Sequence, residues 1–100
     1  MHVIAKSRLR LFWDSSPAYA DAVVPMTEWY RHMEKACYRT PQDLKAVLRT
    51  ASILKGGRVV FNIAGNKYRV IVAIDYDRQL GYIRFVGTHG QYDQINAETI

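Results

Sequence analysis

Seven polar side chains fall near one end of the stretch Gly56 to Asp93: Asn62, Asn66, Lys67, Arg69, Thr88, His89 and Tyr92. Their types match what metal-free cleavage of RNA requires. When a neighbouring 2′-hydroxyl attacks a phosphodiester, a base must take its proton and an acid must protonate the leaving oxygen. Cations must meet the charge that builds on the phosphoryl oxygens. Histidine is the side-chain type that ordinarily titrates near neutrality, which makes His89 the natural acid or base. Arg69 brings a planar fork matched to phosphate, and Lys67 a point charge. Tyr92 can stack a base or donate a hydrogen bond. Asp93 can orient His89 or Arg69, or form a simple salt bridge. The need for a 2′-hydroxyl would make the substrate RNA and not DNA.

Three strands must position these groups. Three apolar runs rich in β-branched residues are separated by turn signals at Ala64-Gly65-Asn66 and Asp77-Arg78-Gln79, which predicts a β-meander over residues 57–89. Side chains alternate across a strand, so each turn fixes which residues face each other. With Gly65-Asn66 as a two-residue turn, Asn62 faces Arg69, Val60 faces Ile71 and Arg58 faces Ala73. With the second turn centred on Arg78, Arg69 faces Gly87, Ile71 faces Phe85 and Ala73 faces Ile83. One face then carries Asn62, Arg69 and Gly87 in a row, with His89 just beyond and open space over Gly87. The other carries Val59, Phe61, Val70, Val72 and Val86. This register also puts Arg84 on that second face, and a one-residue slip in either turn moves it across. Arg58 extends the line of cations, and Arg49 and Lys55 make the loop leading into the meander basic.

Helices come before the strands. Residues 2–5 are short and β-branched and add one strand to the meander. Ser7 is expected to cap a helix in which Leu9, Phe12 and Trp13 share a face, and Ser16-Pro17 restarts it. From there Tyr19, Ala22, Val23, Met26, Trp29, Tyr30, Met33 and Cys37 recur at steps of three and four, one stripe to bury against the sheet. Pro25 should kink or break that helix. Thr40-Pro41-Gln42-Asp43 caps a further short helix carrying Leu44, Val47 and Leu48. Helices followed by strands make an α+β domain, with the helices covering one sheet face.

One hundred residues, 49% of them apolar, are enough for one domain, 1–100, with a core that needs no staples. A formal net charge of +5 favours a polyanionic partner, although many small soluble proteins are basic. The single Cys37 excludes an internal disulfide framework and suits a reducing compartment; its neighbours Ala36 and Tyr38 point to a packed thiol. No apolar run approaches transmembrane length and no signal-peptide core opens the chain, so a cytoplasmic location and no membrane partner are expected. His2, His32 and His89 lack metal-ligand spacing, so neither a metal nor another cofactor is expected. His32 should be exposed. A lone histidine at a strand end is more often a surface residue than a catalyst, and Arg84 is equally suited to pair with Asp75, Asp77 or Glu98. On these residues alone the chain is a basic domain with a nucleic-acid preference.

The run Phe61-Asn62-Ile63, Asn66-Lys67-Tyr68-Arg69, then Tyr82 to His89 and Tyr92-Asp93, closely resembles the HigB-type toxins of the RelE-like superfamily. The opening MHVIA, the Pro41…Leu44-Lys45 segment and the length fit as well. The resemblance implies a bacterial type II toxin–antitoxin pair whose toxin is an mRNA interferase, an endoribonuclease cutting mRNA in many cases within the ribosomal A site. It implies a HigA-like helix-turn-helix antitoxin as partner, with operator DNA bound through the complex. The implied fold is RelE-like: a short N-terminal strand and helices on one face of a small antiparallel sheet, a short C-terminal helix or tail, and an open, basic concave face for RNA. Arg69, Arg84, His89 and Tyr92 stand where the family's motif places its catalytic side chains; Asn62, Lys67, Arg58 and Lys55 are the expected RNA contacts. Two other readings share the fold: a non-catalytic RNA- or ribosome-binding module, and a protein-interaction domain docking an acidic antitoxin segment.

Overall fold

The computed structural model describes residues 1–100. Strand β1 (His2–Ile4) is followed by helix α1 (Lys6–Asp14), a 3-10 segment (Pro17–Ala22), helix α2 (Val23–Lys35) and helix α3 (Pro41–Val47). The strands β2 (Ser52–Ile53), β3 (Arg58–Ile63), β4 (Tyr68–Asp75) and β5 (Leu80–Thr88) come next, and helix α4 is the single turn His89–Tyr92. All five strands form one sheet in the order β1-β5-β4-β3-β2. β1 runs parallel to β5 and the remaining pairs are antiparallel. The two-residue β2 lies where sequence reading placed only a basic loop.

Several helix boundaries follow side-chain chemistry. Ser16 Oγ accepts from the Ala18 amide, and Thr40 Oγ1 from the Asp43 amide, so both serve as caps. Ser7 does not: α1 starts one residue earlier, after Ala5, without a side-chain cap. The stripe from Tyr19 to Met33 is buried against the sheet, but in two pieces. The change from 3-10 to α geometry comes at Ala22–Val23, and Pro25 sits inside the first turn of α2. There its missing N–H would have had no partner within the helix, so α2 runs through it. α2 ends at Lys35, which leaves Cys37 outside the helix and exposed; Tyr38 is the buried neighbour, its hydroxyl 2.7 Å from Nε2 of the exposed His32. In α3, Leu44 is fully buried whereas Val47 points to solvent.

The main core lies between the helices and one sheet face. Leu9, Phe12, Met26, Trp29, Met33 and Leu44 meet Val59, Phe61, Ile63, Tyr68, Val70, Val72 and Ile83. Burying such side chains contributes roughly 1.5–3 kcal/mol each before entropy is charged against it. The free edge of β1 is covered by Glu34, whose Oε2 accepts from the Val3 amide at 3.0 Å.

The register of the first hairpin is the expected one, Asn62 opposite Arg69 and Arg58 opposite Ala73, although its loop holds four residues. In the second, Arg69 faces Gly87 and Ile71 faces Phe85, but Val72 then faces Ile83 and Ala73 faces Tyr82. Arg84 is skipped: it is the extra residue of a β-bulge. The turn is centred one half-step earlier than expected, and the bulge restores the register beyond it. Arg8 of α1 reaches this point, with Nη1 2.9 Å from the Ile83 carbonyl oxygen and Nη2 3.3 Å from that of Arg84.

The other sheet face is not an open platform. Its middle row, Val60, Ile71 and Phe85, lies outside the helix-side core, yet Val60 is 2% and Ile71 0% exposed. The segment after Tyr92 covers it. Tyr92 meets Arg69 and Phe85 at one end of this face, and at the other end Arg58 donates to the main-chain oxygen of Ile100.

Candidate active site

Arg69, on β4, points to the face away from the main core. Its Nη2 donates to Asn66 Oδ1 at 2.8 Å, and its guanidinium carbon lies 4.4 Å from the centre of the Tyr92 ring. Stacking of this kind holds a guanidinium flat against a phenol. Its buried Nε has no partner, so Nη2 is the one nitrogen engaged. Phe85 meets the Tyr92 ring edge-on at 6.4 Å. The space over Gly87 is filled: a Cβ there would lie 2.5 Å from Phe85 Cζ and 2.8 Å from Gln91 Oε1. The expectation of open room beside Arg69 is therefore wrong, because the ring of Phe85 turns into the gap.

His89 and Tyr92 occupy the first and last positions of α4. A reciprocal capping box makes this turn: Thr88 Oγ1 accepts from the Gln91 amide at 3.1 Å, and Gln91 Oε1 from the Thr88 amide at 2.9 Å. The His89 amide donates to the Lys67 carbonyl at 3.1 Å, which ties α4 to the β3–β4 loop. His89 Nδ1 lies 3.2 Å from Asp93 Oδ2, one helical turn on, and the imidazole is 43% exposed. Between its two expected partners, then, Asp93 takes His89 and not Arg69.

The remaining expected residues are distributed differently. Lys67 is not a free cation: its Nζ pairs with Asp21 at the end of the 3-10 segment, and the buried Tyr68 hydroxyl donates to the same carboxylate. These hydrogen bonds from Lys67 and Tyr68 hold the Asp21 carboxyl below the usual carboxylate range. The Asp21 partnership raises Lys67, while Tyr68 is raised first by burial. Arg58 is spent on the Ile100 oxygen, and Asn62 Nδ2 donates to the Thr50 carbonyl at 3.1 Å. Lys55 is exposed in the 3-10 turn Lys55–Gly57, with no side-chain hydrogen bond or ion pair. Arg84 is exposed at the bulge and pairs with none of Asp75, Asp77 or Glu98, nor with the Arg69–Tyr92 stack. Nowhere do three His, Cys, Asp or Glu side chains converge as metal ligands, and no helix is long and apolar enough to cross a membrane.

Sequence reading missed what braces the cluster. Thr88-x-x-Gln91 is a capping-box pattern and was visible as such. Asp21 carried no local signal, because its partners lie more than forty residues away.

Helices on one side of a small five-stranded mixed sheet make this a small RelE-like α+β protein. The chain belongs to the HigB toxin family: the family model described as "HigB_toxin, RelE-like toxic component of a toxin-antitoxin system" matches residues 22–95. It is 30% identical over 99 residues to the mRNA interferase toxin HigB of Escherichia coli (strain K12), covering 97% of this chain and 92% of that protein. The same figures hold for the mRNA interferase HigB of Shigella flexneri. The mRNA interferase HigB of Escherichia coli O6:H1 is 22% identical over 97 residues. Membership makes this chain the toxic half of a two-protein system whose other half is an antitoxin. The matched stretch takes in Asn66, Lys67, Arg69 and the whole of Thr88–Asp93.

Proposed function

We propose that this toxin is an mRNA interferase, an endoribonuclease that cleaves mRNA with the substrate's own 2′-hydroxyl as the nucleophile. The observation that carries this reading is the Arg69 guanidinium 4.4 Å from the Tyr92 ring, with His89 three residues before Tyr92 in the same helical turn.

 The roles divide by chemistry. Asp93, 3.2 Å from Nδ1, favours the ring form with that nitrogen protonated and leaves Nε2 for the substrate. His89 then serves as acid or base, and the Tyr92 phenol is the second proton-bearing group beside it. Arg69 meets the charge growing on the phosphoryl oxygens with Nη1, the terminal nitrogen that makes no hydrogen bond. For this the phosphate must enter beside Tyr92, and Asn66 keeps the guanidinium in place meanwhile. Arg84 is an exposed cation whose side chain makes no hydrogen bond or ion pair, whereas Lys67 and Arg58 act by holding the frame. With those two cations engaged, a broad basic platform that merely binds RNA has less to work with.

The names of the similar proteins support mRNA as the substrate. From the resemblance to HigB-type toxins we further propose a HigA-like helix-turn-helix antitoxin as the partner, operator DNA contact through that complex, and cleavage on the ribosome; a cytoplasmic location is proposed with them. The test is to map 5′ ends of cellular mRNA after induction of wild type, His89→Ala and Arg69→Ala. New ends should appear with the wild type alone. Losing a contact made mainly in the transition state costs roughly 2–4 kcal/mol, tens- to a thousandfold in rate. No new ends with the wild type would end the nuclease reading, and unchanged cleavage by both variants would remove Arg69 and His89 from the chemistry.

A further inference from the structure

The β3–β4 loop, residues 64–67, has a hand on both reactive groups. Asn66 Oδ1 accepts from Arg69 Nη2 at 2.8 Å, and the Lys67 carbonyl accepts from the His89 amide at 3.1 Å. Where these two adjacent residues sit therefore sets where the guanidinium stands relative to the imidazole. The loop does not fix that position alone. Ala64 and Gly65 are both left-handed, at φ 55° and 71°, and the Lys67 amide reaches the Ala64 carbonyl only at 3.4 Å, a long hydrogen bond. Nor can α4 hold His89 by itself, since it is a single turn of four residues.

The fastening from outside is Asp21. One of its carboxylate oxygens takes the Lys67 ammonium and the other takes the Tyr68 hydroxyl. An ion pair half open to water holds little by its own attraction. Tyr68, however, is fully buried, and its ring meets Phe12 at 5.7 Å and Tyr19 at 6.1 Å, while Tyr19 stacks on Phe12 at 4.4 Å. The carboxylate is thus tied to a packed aromatic cluster, and Lys67 docks on an acceptor that is already held. We propose that Asp21 is a positioning residue for RNA cleavage: through Lys67 and the β3–β4 loop it sets the spacing of Arg69 and His89 without touching the substrate. The proposal rests on the nuclease reading. Its kinetic mark follows from the chemistry. The transition state needs the cation and the acid–base group in place together, whereas bound RNA does not, so loss of Asp21 lowers kcat and leaves KM where it was.

The experiment measures kcat and KM on an end-labelled mRNA bound to ribosomes, at a temperature where circular dichroism shows every variant folded. Asp21→Asn keeps the shape but turns an amide donor toward one of two donors, and kcat should fall roughly ten- to a hundredfold. Lys67→Met should lower kcat alike, and the double variant no further than either alone, because both cut the same link. A second readout needs no RNA. In isotope-labelled protein, Asp21→Asn should shift the magnetic resonance signals of the His89 ring and the Arg69 Nε–H together, and leave those of His2 and His32 in place. Losses that multiply in the double variant, a change confined to KM, or unmoved His89 and Arg69 signals would overturn the proposal. A wild type that cuts nothing, with both signals moved by Asp21→Asn, would keep the fastening and remove the nuclease.

Discussion

At Gly87 the absence of a side chain is required by a neighbour. The Phe85 ring occupies the place of a Cβ, and the same ring meets Tyr92, which in turn lies over Arg69. Gly87→Ala should therefore cost roughly 1–3 kcal/mol, the usual range for overpacking. It should lower the melting temperature by several degrees and reduce RNA cleavage together, both measurable on one preparation. A variant as stable and as active as wild type would mean that Phe85 turns aside freely. From the sequence, Arg69 was placed opposite Gly87 with the turn half a step off, and it is the bulge at Arg84 that brings the two together. The filling of the gap was not legible, since it depends on the rotamer of a residue two positions back.

Among the elements, α4 and the 3-10 segment reach the site from opposite ends of the chain and meet at the β3–β4 loop. Lys67 joins them: its side chain pairs with Asp21 and its carbonyl accepts from His89. The Asp21 carboxyl is held low by its hydrogen bonds from Lys67 and then Tyr68. Between the lowered folded value and the ordinary unfolded one, the unfolded chain binds more protons. The contribution is thus complete above the ordinary carboxylate range and is lost as the pH falls through the folded value. Denaturant unfolding followed over an acidic pH series should show this loss, and Asp21→Asn should flatten that part of the profile. The helices and hairpins themselves could be read from capping residues and apolar spacing. Pro25 misled because a proline rule for helix interiors does not apply in a first turn.

The whole molecule covers both faces of its sheet, and the sequence carried a sign of this. Val59, Val60 and Phe61 in β3, and Val70, Ile71 and Val72 in β4, are unbroken apolar runs where a sheet with one wet face would alternate. What the runs could not say is which segment supplies the second cover. The bulge has a consequence at this scale too. Arg84 is surplus to the ladder: Val72 already faces Ile83 and Ile71 faces Phe85. Excising that one residue would leave every rung paired and every side chain on its present side of a straighter ribbon. The shortened chain should keep its circular dichroism and melt near the wild-type temperature. Without the local bend, its last rungs would aim the imidazole elsewhere and transcripts would survive. Folding and killing would then be separable by a single codon.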